Sequence, residues 1–223
     1  MNFSERVIAF YQQLELPEGL PEKVEVLNPY VDPEVNTIVQ TFYEKYYRDE
    51  KKRKVILGIN PGRWGAGITG IPFTDPVRLQ NDCEIPNEFD KRSELSSEFV
   101  YRLINTMGGP AHFYSHFYIG SVSPLGFVKD KKNYNYYDSL EMKRNLKPYI
   151  IHSLIGQISF GVDTQTCFCM GQGKNFDYLK MLNDELRLFK RIVPLPHPRW
   201  VMQYKRREVD YWINETLQLL IKS

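Results

Sequence analysis

The sequence predicts an α/β fold in which about four mostly parallel strands lie between helical layers. Three observations carry that expectation. Val55-Ile56-Leu57-Gly58-Ile59 is an unbroken apolar run closed by Asn60-Pro61-Gly62, and such a run reads as a strand buried on both faces. Similar short runs recur at 117–122, 166–170 and 191–195, each closed by glycine or proline. Between and around them lie long segments with helical spacing, and strands alternating with helices argue for a parallel sheet.

Taken in order, residues 3–14 have helical spacing, and the proline-bounded stretch 17–21 breaks it. Asp32-Pro33-Glu34 supplies a cap, a proline for the first turn and an acid, so a second helix runs to about Arg48. The charged stretch 49–54 separates it from the first strand. Helices are expected over 94–107, 138–158, 176–189 and 206–221, interleaved with the remaining strands. Two long glycine- and proline-rich loops follow the first strand (60–76) and the last (196–204). In open α/β sheets ligands bind at the carboxyl ends of strands, so these loops are where chemistry is expected.

A chain of 223 residues makes one large domain, or at most two small ones. Hydrophobic residues are 42% and charged residues 25%, which excludes a disordered protein. No apolar run approaches a membrane span, and the N-terminus lacks a basic segment followed by an apolar one. Three cysteines cannot build a disulfide framework and point to a reducing compartment, so a cytoplasmic protein is expected. The net charge of +2 excludes a globally basic nucleic-acid binder but leaves room for a local basic patch. Aromatic residues at 14%, with 15 Tyr and 13 Phe, exceed what a core alone usually requires.

Several simple chemistries fail on inspection. Met170-Gly171-Gln172-Gly173-Lys174-Asn175 lacks the spacing of a phosphate loop, and Asn175 stands where a magnesium-binding hydroxyl belongs. It reads better as a strand, a glycine turn and a helix N-terminus whose free amides could face a DNA phosphate. His112 and His116 have i, i+4 spacing without the glutamate of a zinc hydrolase. Cys167 and Cys169 alternate faces of a strand and make poor joint ligands. No Gly-x-Ser-x-Gly elbow is present.

What remains is a pair of loops. The stretch from Gly58 to Phe73 is dense in glycine directly after a buried strand, so backbone amides can approach a flat ligand closely. Asn60 offers an amide to orient water or grip a polar edge, and Phe73 offers a stacking face. In Pro196-His197-Pro198-Arg199-Trp200, one histidine is held between two prolines, which pin its backbone. Beyond it, Arg199, Lys205, Arg206 and Arg207 carry charge with no acid between them, interleaved with Trp200 and Tyr204. Basic groups with aromatics suit phosphate contact and base stacking.

These two loops resemble the uracil-DNA glycosylase superfamily, specifically its single-strand-selective monofunctional (SMUG-type) branch. That branch's first motif is Gly-Met-Asn-Pro-Gly-x-x-Gly-x-x-x-Thr-Gly-x-Pro-Phe-Gly. The chain matches it at Gly58, Asn60, Pro61, Gly62, Gly65, Thr69, Gly70, Pro72 and Phe73. The second motif begins His-Pro-Ser-Pro-Arg and is answered by the shorter His197-Pro198-Arg199. The family's Asn-x-Cys-Pro-Leu is answered by Ser121-Val122-Ser123-Pro124-Leu125. The resemblance spans roughly residues 54–207, and the first 48 residues carry no family motif.

The resemblance implies a three-layer α/β/α sandwich and one glycosylase-like domain over 1–223, with 1–48 a helical N-terminal extension packed on it. It implies excision of uracil, or of another deaminated or oxidised base, by hydrolysis of the N-glycosidic bond after the base leaves the stack. Asn60 would position the attacking water and His197 would donate to the departing base. Phe73 would stack on that base, with the Gly62 backbone, Ala66 and Ser121 completing its pocket. Arg199, Trp200, Gln203, Tyr204, Lys205 and Arg206 would meet the DNA. No lysine lies in either loop before Lys205, so a Schiff-base lyase step is not expected. Neither metal nor organic cofactor is implied, and a monomer is expected. Two alternatives stay open: a glycosylase preferring xanthine or hypoxanthine, and a non-catalytic DNA-binding module on the same fold.

Ser121 replaces the branch's base-reading Asn and cannot make the same bidentate contact. Ala66 stands where the branch has Met near the pyrimidine C5 edge. Both departures imply a base range wider than uracil.

Overall fold

The computed structural model describes residues 1–222. Its centre is a four-stranded sheet of β2 (Lys54–Gly58), β3 (Phe117–Ser121), β6 (Asp163–Met170) and β7 (Arg191–Leu195). The strand order is β3-β2-β6-β7 and every pairing is parallel. These are the four expected strands; β6 starts three residues earlier than its apolar run. Helices cover both faces. α8 (Lys147–Ile158) sets Leu154, Gln157 and Ile158 against Val55 and Leu57. On the opposite face Lys54 reaches the carbonyl of Leu220 in α11 (Val209–Ile221).

Local chemistry places the helices. α1 (Phe3–Gln12) opens on a capping box between Asn2 and Glu5. α2 (Pro33–Tyr47) opens on Asp32, whose side chain accepts from Glu34 N at 2.8 Å. After the first loop come α3 (Ala66–Thr69), α4 (Pro76–Asn81), α5 (Leu95–Thr106) and α6 (Pro110–His116). Asp75 serves two of them at once: Oδ1 accepts from Arg78 N in α4, and Oδ2 from Glu94 N at the start of α5.

Three expectations need correction. The helix expected over 138–158 is two helices, α7 (Leu140–Asn145) and α8. Pro148 lacks the N–H that would continue the first helix, so a new one starts there. The loop expected over 196–204 contains α10 (Pro198–Tyr204), because proline at the first helical position suits the start of a helix. Residues 206–208 form a 3₁₀ turn, and α11 begins only at Val209.

A second sheet went unforeseen. β1 (Val24–Leu27), β4 (Gly126–Lys129) and β5 (Lys132–Tyr134) pair antiparallel in the order β1-β4-β5. The first 48 residues thus contribute a strand as well as two helices. The β4–β5 turn is Asp130-Lys131, with φ of 49° and 59°. Both residues are left-handed without a glycine between them, so the usual hairpin signal is missing from the sequence.

The aromatic surplus is spent in the core rather than on a binding surface. Tyr11, Tyr43, Tyr47, Tyr101, Tyr114 and Tyr118 are fully buried. Tyrosine tolerates this when its hydroxyl finds a partner. Tyr47 donates to Phe117 O at 3.1 Å, Tyr30 to Gly70 O at 2.9 Å, and the Tyr101 and Tyr114 hydroxyls meet at 3.2 Å. Burial pushes these phenols well above their ordinary pKa, which keeps them neutral.

Candidate active site

All four central strands point their carboxyl ends into one pocket of about 300 Å³. Asn60 follows β2, Ser121 ends β3, Met170 ends β6 and His197 follows β7, and all four line it. β2 has the earlier-crossing β3 on one side and the later β6 on the other, so the pocket sits where strand order reverses. A larger, open trough of about 680 Å³ runs past Leu140, Lys143 and Met181. It lacks convergent polar groups, so the smaller pocket is the one built for chemistry.

Asn60 is half-buried and tied to neighbouring backbone. Its Nδ2 donates to Pro61 O at 3.3 Å and to Tyr134 O at 3.4 Å, while Oδ1 accepts from Tyr136 N at 3.4 Å. These bonds fix which way the amide faces and leave one Oδ1 lone pair for a further donor. The segment that holds it follows β5, so the small unforeseen sheet is a wall of the site. Asn133, Asn135 and Tyr137 from that segment line the pocket. Asn133 Oδ1 also accepts from Arg63 N at 3.0 Å, pinning the glycine loop.

His197 sits at the N-cap of α10 in extended backbone, φ −77° and ψ 118°. Gly171, at φ +109°, brings bare backbone against its ring; a Cβ there would lie 3.3 Å from His197 Cδ2. The Gly171 N–H also donates to Leu195 O at 3.0 Å, tying the ends of β6 and β7 together. Burial, then the nearby Arg199 charge, lowers the imidazole pKa below its ordinary value, against a backbone hydrogen bond that favours the proton. The ring is therefore neutral at pH 7 and carries one N–H to donate.

Gly62, Ala66, Phe73, Ser121 and Arg199 join Asn60 and His197 around this pocket. The other expected DNA contacts lie outside its lining. Trp200 is exposed but stands edge-on against Trp212, ring centroids 5.4 Å apart. Gln203 and Tyr204 are exposed at the end of α10. Lys205 pairs with Glu208 at 3.2 Å and Arg206 with Glu98 at 3.1 Å. The basic tract, free of acids in its first stretch, thus has two of its charges answered by acids from α5 and from the 3₁₀ turn.

Two features escaped the sequence reading. Glu94, at the N-cap of α5, lines the pocket and has no motif to announce it. Trp64, one residue beyond Arg63 in the glycine loop, is exposed with the Arg63 and Arg92 guanidinium groups over its ring at 4.7 and 4.0 Å. Its signal was the Arg63-Trp64 pair inside the first motif. Among the described residues no group of three or more His, Cys, Asp or Glu side chains could hold a metal ion, and no helix is long and apolar enough to cross a membrane.

The model of the uracil DNA glycosylase superfamily matches residues 44–221. The chain belongs to that superfamily. The solved structure of wild-type SMUG2 from Pedobacter heparinus is 42% identical to it, with a TM-score of 0.95 over 100% of both chains. The glycosylase family match includes the whole central sheet and both pocket loops, and starts within α2. The full-length likeness to a SMUG-type structure also covers α1 and β1, which carry no family motif.

Proposed function

We propose that this chain is a monofunctional uracil-DNA glycosylase of the SMUG type, acting in base excision repair with Asn60 and His197 as its reacting pair. The observation that carries the reading is their convergence, from the ends of β2 and β7, on one pocket sized for a single flipped base. In the reaction the C1′–N bond breaks and its electron pair leaves with the base. Water adds its oxygen to C1′, and the proton it loses ends on the base or in solvent. An amide cannot take that proton, so Asn60 orients the water through the free lone pair of Oδ1. Most of the barrier must fall on the leaving side.

His197 supplies that help. A neutral imidazole donates its N–H to the departing base's O2 as negative charge develops there, in a site already desolvated. Phe73 stacks on the base, and Ser121, whose hydroxyl can donate or accept, tolerates bases beyond uracil. Such tolerance supports some excision of other deaminated bases, with uracil the principal substrate. Arg199, Trp64 and the residues of α10 suit a nucleic-acid strand through charge and stacking. The pocket lining comes from one chain, which suits a working monomer, and three unpaired buried cysteines suit the reducing cytoplasm.

Single-turnover excision from a uracil-containing oligonucleotide, read by alkaline cleavage of abasic sites, tests the reading. Asn60→Ala is expected to bind DNA normally but to excise very slowly. His197→Ala is expected to raise the barrier by about 3 kcal/mol, the scale for one donor lost to a developing anion. Wild-type protein that binds without excising would reduce the chain to a DNA-binding module.

A further inference from the structure

Among the described residues that line the pocket, Glu94 is the only acid. It occupies the N-cap of α5, yet its side chain makes no capping hydrogen bond. Asp75 holds its backbone N–H instead, at 2.8 Å, which frees the carboxyl to turn into the pocket. There it lies against the glycine loop. A side chain on Gly65 would collide with Oε2, and one on Gly62 would come within 3.7 Å of Oε1. Helix capping therefore does not explain this residue.

The pocket also lacks something that Glu94 can supply. Ser121 is a single small hydroxyl, and one hydroxyl cannot grip two positions on a base edge. The reaction places negative charge on the departing base, so a second polar group must not oppose that charge. A carboxylate would oppose it, whereas a carboxylic acid would donate a hydrogen bond to it.

We propose that Glu94 acts as a neutral acid that donates to a carbonyl oxygen of the flipped base and selects deaminated bases over their amino parents. This rests on the glycosylase reading above. Deamination replaces an exocyclic amine with a carbonyl oxygen: uracil, hypoxanthine and xanthine each show oxygen where the parent base shows an amine. An O–H donor meets that oxygen favourably and meets an amine as donor against donor. The ionised form would reverse the preference, because a carboxylate accepts from an amine.

The surroundings favour the acid form. Burial raises the carboxyl pKa above its usual value, the Arg199 charge on α10 pulls the other way, and Asp75 before α4 raises it again. Ser96 bonds to the carboxyl and favours ionisation. His197 shares the pocket as a neutral ring. A seated base would expel water and drive the carboxyl further toward the acid.

Single-turnover uracil excision by wild type, Glu94→Gln and Glu94→Ala, followed from mildly acidic to alkaline pH, tests the proposal. Affinity for an abasic-site oligonucleotide and thermal unfolding are measured alongside. Glu94→Ala is expected to lose about 10²-fold in rate, the scale for one donor to a developing anion, with abasic-site binding unchanged. Glu94→Gln keeps a donor that does not titrate, so it is expected to retain most activity and to lose the wild-type decline at alkaline pH. If Glu94→Ala excised like wild type, or Glu94→Gln kept the same alkaline decline, the proposal would be wrong. Should Glu94→Ala unfold, Glu94→Gln alone decides through its pH profile. Inactive wild-type protein would overturn the glycosylase reading, whereas active protein indifferent to Glu94 would overturn only this inference.

Discussion

The ring of Phe73 lies directly on the backbone of Gly58: a Cβ added to Gly58 would stand 2.7 Å from Phe73 Cε2 and 2.9 Å from Cζ. The last residue of β2 must be bare for the ring to reach the pocket. Phe73 itself sits at φ 54°, an unusual conformation for an aromatic residue, so the loop holds the ring there by design of its neighbours. Gly58→Ala is expected to push the ring aside. The overpacking should cost about 1–3 kcal/mol of stability, while excision falls further than that loss accounts for. Thermal unfolding and single-turnover excision on the same preparation check this; wild-type excision would remove Phe73 stacking from the reaction.

His197 and Arg199 are coupled. The folded pKa of His197 lies below the unfolded value of about 6.5. The stability it contributes is therefore present above the unfolded pKa and is lost as pH falls through the folded value. Arg199→Gln removes one of the two causes, so the imidazole should titrate at higher pH than in the wild type. NMR titration of the ring resonances reads this without reference to activity. No shift would mean that burial alone sets the ring's charge.

Arg53 is fully buried and links the start of β2 to the N-terminal helices. It makes two bonds to Asp49, at 2.8 and 3.0 Å, and donates to Tyr114 O at 2.7 Å. Its guanidinium lies between the rings of Phe3 and Tyr47, at 4.8 and 4.7 Å. Arg53→Met is expected to cost about 3 kcal/mol in denaturant unfolding, because buried carbonyls and Asp49 lose their partner. Burial would raise the Asp49 pKa, but the Arg53 bonds and charge outweigh it and hold it below the usual carboxylate value. That part of the stability is present above the unfolded pKa and lost as pH falls through the folded one. The gap between variant and wild type should therefore narrow in acid.

The central sheet was legible because its strands are covered on both faces, so β2 carries no polar residue after Lys54. The small sheet was not. β1 is short and only half-buried, and the β4–β5 turn has no glycine. The tyrosines misled for a related reason: composition counts rings but cannot tell which hydroxyls find buried partners.

Of the site, Asn60, Phe73 and His197 were legible because each stands in a loop whose glycines or prolines mark it. Glu94, Asn133 and Asn135 were not, because each comes from an element with its own local reason to exist. Glu94 begins a helix, and Asn133 belongs to a strand. Local patterning alone determined the order of strands and helices in the central layers and the two loops that bear the reacting groups. Only the tertiary structure decided that the segment after β5 holds the Asn60 amide, that Asp75 frees the Glu94 carboxyl from capping, and that acids answer part of the basic tract. These are contacts between residues far apart in the chain. Periodicity reports which face of an element is buried, but not what that face meets.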